Sequence, residues 1–152
     1  MRPLTLILLA VLVVLIAPRV MAVDEVFATP EGAIRGYDPV AYHTEAKAVP
    51  GKPGITLDWN GATWRFASEA NRDLFAAQPE RYAPQYGGYC AYGTSQGYKV
   101  STQPEAFAIV DGKLYLNYNV PVQRTWNRDR PGYIAKADRN WVQLESTPHT
   151  KD

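Results

Sequence analysis

Ile55-Thr56-Leu57-Asp58-Trp59-Asn60-Gly61-Ala62-Thr63-Trp64-Arg65-Phe66 is the stretch whose reading decides the fold. Apolar and polar residues alternate from Ile55 to Trp59 and again from Thr63 to Phe66, which is the period of a strand with one face inward. Between the two runs stands Asn60-Gly61, a dipeptide that readily places two consecutive residues at positive φ, as a tight hairpin requires. The stretch predicts a β-hairpin.

The same logic recurs downstream, where 106–110 and 113–118 flank Asp111-Gly112. In the second strand of this pair, Leu114 and Leu116 point to one side and Tyr115 to the other. Helices are expected around the hairpins. Asp38-Pro39 reads as an N-cap with proline at the first helical position. Ser68 caps a helix that turns Ala70, Leu74 and Phe75 inward, and Asn119 with Pro121 opens another. Pro131 starts a last helix carrying Ile134, Ala137, Asp138 and Trp141. The arm 23–36 reads as irregular, and 45–54 as a loop. The expected fold class is α+β: a small antiparallel sheet from two β-hairpins, short helices, and a C-terminal helical pair.

The first 22 residues read as an address rather than as fold. Arg2 precedes an almost wholly apolar run from Leu4 to Ala17, and Val20-Met21-Ala22 ends in a small residue, so 1–22 is expected to be a cleaved signal peptide. The run is shorter than the ~18 to 20 residues that span a bilayer, and no membrane association is expected after cleavage. The predicted setting is export, to a periplasm. Residues 23–145 are then a single domain and 146–152 a polar tail. Removal of Arg2 and Arg19 from the 16 basic residues leaves 14 against 15 acidic ones, a net charge of −1. That balance does not favour nucleic acid as a partner.

Chemistry is most concentrated in 84–97, which holds the only cysteine, Cys90, and Tyr86, Tyr89 and Tyr92 at three-residue spacing. On a helical turn the last two tyrosines share a face, and Gly97 ends the turn. A lone cysteine in an exported chain is buried and inert, metal-bound, paired with another molecule, or reactive. His43 follows Tyr42 beside the face shared by Asp38 and Tyr42, and is the only histidine in the folded body.

Asp38-Pro39-Val40, Trp64-Arg65-Phe66-Ala67-Ser68, Asn71-Arg72-Asp73-Leu74-Phe75 and Pro79-Glu80-Arg81-Tyr82, in this order, resemble the YHS domain. The extension Gly87-Gly88-Tyr89-Cys90-Ala91-Tyr92-Gly93 is similar to that of exported single-domain members. The resemblance implies metal handling, since YHS modules occur in heavy-metal transport ATPases and are held to bind metal through cysteines. At the two positions where those modules carry cysteines, this chain has Ala41 and Ala67. Metal binding then falls to Cys90, with His43 as second ligand and a copper or zinc ion as cofactor, copper first. Asp38, Tyr42, Tyr86, Tyr89 and Tyr92 are expected in the outer shell or pocket wall. The expected function is non-catalytic metal binding or handling. The alternative is a small-ligand or protein-binding module whose pocket or face is lined by Tyr86, Tyr89, Tyr92, Tyr98, Tyr115 and Tyr118, with Trp59 or Trp64, and in which Cys90 is only a buried core residue.

Overall fold

The computed structural model describes residues 24–149. The expected signal peptide lies outside the described residues. Within them, no helix is long and apolar enough to cross a membrane.

Both expected hairpins form. Strand β3 (Lys52–Trp59) pairs antiparallel with β4 (Ala62–Phe66), with Leu57 opposite Trp64. Asn60 and Gly61 at the turn have φ of +50° and +76°, the pair of left-handed values the dipeptide was expected to supply. Strand β5 (Phe107–Val110) pairs with β6 (Lys113–Leu116) around Asp111 and Gly112, at +51° and +73°. The first strand starts earlier than alternation suggests. A register shift between Lys52 and Thr56 takes up Pro53 and Gly54, so part of the expected loop is strand. A further short ribbon, β1 (Ala28–Thr29) with β2 (Gly32–Ala33), occupies the arm read as irregular. The class is α+β, with three separate two-stranded antiparallel sheets among the described residues.

Short helices follow their caps. Helix α1 (Pro39–Thr44) starts at Asp38, and α2 (Glu69–Ala77) at Ser68, whose hydroxyl accepts from the Asn71 N–H at 3.1 Å. The inward face of α2 differs from the expected one. Phe75 is buried but Leu74 is 44% exposed, because the face that carries Phe75 also carries Asn71, whose amide donates to Asp38 Oδ2 at 2.7 Å. Helices α3 (Pro79–Tyr82), α4 (Ala91–Ser95), α5 (Val120–Trp126) and α6 (Arg130–Leu144) complete the set, the last two being the C-terminal pair.

Strand β6 lies between two apolar clusters. Leu114 and Leu116 belong to one with Tyr42, Trp64, Phe66 and Phe75, whereas Tyr115 belongs to another with Tyr86, Ala91, Trp126 and Ala137. The side-to-side alternation read from 114–116 is therefore a strand buried on both faces. Residues 84–97 and α6 pack on the second side.

Candidate functional site

The stretch 84–97 is not one helix. Gln85–Gly88 is a 3-10 turn in which Tyr86, Gly87 and Gly88 all have positive φ, at +56°, +62° and +86°. A Cβ on Gly87 would collide with the carbonyl oxygen of Glu25, so glycine is required for the N-terminal segment to lie there. The Phe27 N–H donates to the Gly87 carbonyl at 2.9 Å, holding the two segments together. Only Ala91–Ser95 is helical, and Gly97 follows it at φ +92°.

That backbone separates the three tyrosines, and the single stripe suggested by their spacing does not form. Tyr86 donates its hydroxyl to Asp138 Oδ1 at 2.8 Å, and burial raises its pKa. Tyr89 donates to the carbonyl of Asp24 at 2.9 Å, and its ring meets Phe27 and His149. Tyr92 packs edge-on against Tyr133 of α6. Each is anchored in a different direction.

Cys90 is the N-cap of α4 and is 1% exposed. Its sulfur accepts from the Gly93 N–H at 3.3 Å and the Tyr118 N–H at 3.2 Å, and its thiol donates to Asn117 Oδ1 at 3.6 Å. The Asn117 oxygen also accepts from the Tyr92 N–H at 3.2 Å. Burial pushes the thiol pKa up, and the N–H groups of Gly93, Tyr118 and Tyr92 pull it back only in part. Beside the sulfur is a recess of about 300 Å³, walled by Cys90, Tyr92, Tyr98, Val100, Tyr118 and Val122 with Gly93. A Cβ on Gly93 would stand 2.9 Å from Val100 Cγ2, so this wall closes only on a glycine.

The other expected site residues are placed differently. His43 ends α1, with Nε2 3.3 Å from the Tyr82 carbonyl and its ring edge-on to Tyr82. Burial lowers its pKa, the Tyr82 carbonyl opposes that, and Arg81 adds to the lowering. His43 and Cys90 share none of their hydrogen-bond partners. Asp38 is fully buried and serves the fold: Oδ1 accepts from the N–H groups of Val40 and Ala41, and Oδ2 from the Ala67 N–H and the Asn71 amide. Tyr42 is buried and donates to the Pro104 carbonyl. Among the described residues, no group of three or more His, Cys, Asp or Glu side chains is arranged to hold a metal ion.

Asn117 is the neighbour of Cys90 that sequence reading missed. It is fully buried, and its Nδ2 has no hydrogen-bond partner among the described residues. Its signal is faint: a lone amide directly after the buried run 114–116. Tyr92, Tyr98 and Tyr118, three of the tyrosines expected to line a pocket in the alternative reading, all line this recess. Their chain segments are brought to one recess where Cys90 bridges to Leu116 of β6 and its N–H donates to the Val100 carbonyl at 3.1 Å.

Residues 40–86 match the family model of the YHS domain, a span from α1 to the 3-10 turn. The match ends before Cys90. No curated protein and no solved structure matches the chain.

Proposed function

We propose that this chain, which carries a YHS domain over residues 40–86, is a non-catalytic, exported binding protein that takes a small flat ligand into the recess beside Cys90. The observation that carries the reading is the recess itself: three tyrosine walls around a buried thiol in about 300 Å³, the lower end of the size range of small-molecule sites. Tyrosine rings offer flat apolar faces with polar tips, which suit an aromatic or planar ligand with a hydrogen-bonding edge. Absence of catalysis is supported by the thiol's surroundings. Its partners are an amide and backbone N–H groups, none of them a base, and burial favours the protonated form. The basic start and apolar run of 1–22 support export to a periplasm.

The test uses indole as a planar probe. Saturable binding to the purified chain is expected, with loss of at least tenfold in affinity in Val122→Trp, where the added ring fills the recess. Equal binding in both would remove the recess from the function.

Copper handling is the second reading, and the thiol at the recess wall favours it. A soft thiolate suits Cu(I), and metal binding would displace the thiol proton. With His43 engaged at Tyr82, the remaining ligands would come from the bound small molecule or a partner. Competition against a chromogenic Cu(I) chelator separates the readings: Cys90→Ser abolishes copper retention if the metal reading holds, while indole binding persists if only the first does.

A further inference from the structure

A second recess, about 280 Å³, opens where the tip of the β3–β4 hairpin, the turn 84–87 and α6 meet. It shares no lining residue with the recess at Cys90. Its apolar walls are Trp59, Trp64, Tyr86 and Trp141. Around them stand four carboxylates, Glu25, Glu80, Asp138 and Glu145, and no Lys, Arg or His is among the lining residues. All four acids are exposed, and among the described residues none lies in a salt bridge with a basic side chain. Lys99 stands over the Trp141 ring at 5.3 Å, but its ammonium donates to the backbone carbonyls of Asp24, Glu145 and Thr147. Its charge acts on the carboxylates of Asp24, Glu145 and Glu25, so it is one shared cation against the four acids of the recess. One oxygen of Asp138 takes the Tyr86 hydroxyl, so that carboxylate is held in place.

Ionised carboxylates accept hydrogen bonds and donate none, so the complementary ligand brings positive charge and N–H donors. Indole and phenol faces add attraction for a cation and cover for an alkyl chain. A quaternary ammonium lacks the donors. A hard divalent ion calls for six or more oxygens and gains nothing from indole walls. We infer that this recess binds a small protonated alkyl diamine or polyamine, with ammonium groups on the carboxylates and methylenes against Trp59 and Trp141.

The experiment titrates 1,4-diaminobutane and spermidine into the purified chain, read by tryptophan fluorescence and calorimetry. Saturable binding that weakens with salt is expected, with no binding of 1,4-butanediol, which has the length without the charge. In Glu80→Gln/Glu145→Gln, two neutralisations at exposed side chains, affinity falls about tenfold, the combined effect of two exposed ion pairs. Three outcomes overturn the inference: no saturable amine binding below about 10 mM, unchanged affinity in the double variant, or equally tight binding of tetramethylammonium or Ca²⁺. Circular dichroism of the variant confirms that the fold is retained. Loss of indole binding in Val122→Trp leaves this site unaffected, so the two sites fail independently.

Discussion

Two opposed effects act on the sulfur of Cys90: burial favours the thiol, and N–H donors from Gly93, Tyr118 and Tyr92 favour the thiolate. Burial is the larger, so the folded pKa lies above that of a free cysteine, about 8.5. Alkylation by iodoacetamide should therefore be slow at neutral pH and rise with a midpoint above that value. A midpoint at or below the free-cysteine value would show that the donors win. The sign for stability follows: the protonated thiol is the form the fold favours, so its contribution is full below the unfolded pKa and is lost as pH rises through the folded one. Asp38 is an acceptor with no spare capacity. Its four accepted bonds join the start of α1 to Ala67 at the end of β4 and to Asn71 of α2. Asp38→Asn turns one acceptor atom into a donor facing the donors of Ala67 and Asn71, and should cost about 2 to 4 kcal/mol. Urea unfolding would show this as a lower midpoint at unchanged slope. A loss below about 0.5 kcal/mol would mean the residue is not the junction its bonds describe.

At the scale of elements, the glycines of 84–97 have unequal tasks. Gly87 has positive φ and no room for a Cβ beside Glu25, whereas Gly97 has positive φ with open space around it. Gly97→Ala should cost about 1 kcal/mol for the left-handed backbone alone. Gly87→Ala adds displacement of the N-terminal segment and should cost about 3 kcal/mol or more, measured by thermal or urea unfolding. Equal losses would mean that 24–27 detaches at little cost. These elements also show what a sequence can carry. The hairpins were legible because Asn60-Gly61 and Asp111-Gly112 encode the turn dihedrals locally, and the caps at Asp38, Ser68 and Asn119 likewise act within three residues. The tyrosine stripe failed because periodicity presumes a helix, and Tyr86 takes a left-handed conformation in a turn whose next residue, Gly87, is bonded to Phe27 some sixty positions earlier. Leu74 was misplaced for a similar reason, since the Asn71–Asp38 bond sets how α2 is turned. Cys90 was legible as a candidate by type alone. Tyr98 and Tyr118 were likewise legible as pocket-lining candidates by type, whereas Asn117 and the pairing that gathers them at Cys90 are long-range and no local spacing announces them.

At the scale of the whole molecule, Lys99 joins the two ends of the described chain. It is fully buried, and its ammonium donates to the carbonyls of Asp24 at 2.8 Å, Glu145 at 3.1 Å and Thr147 at 2.7 Å. Glu145 is the C-cap of α6, so the charge also stands at the negative end of that helix. The rings of Tyr89 and Trp141 flank the ammonium, at 4.9 and 5.3 Å from their centroids. Residues 146–149, read as part of a polar tail, are thereby drawn onto the body, with His149 against Tyr89 and Phe27. Lys99→Met keeps most of the side-chain volume and removes the three charged hydrogen bonds, leaving buried carbonyls with weaker partners. The expected loss is about 2 to 4 kcal/mol. Its distribution matters more than its size, because the bonds tie down the two ends rather than the hairpins. Hydrogen exchange should therefore quicken first at 24–27 and 144–147, under conditions where the amides of β3 and β4 keep their protection. Uniform acceleration across all four regions would mean that Lys99 supports the fold as a whole, and that the ends are not a separately opening unit.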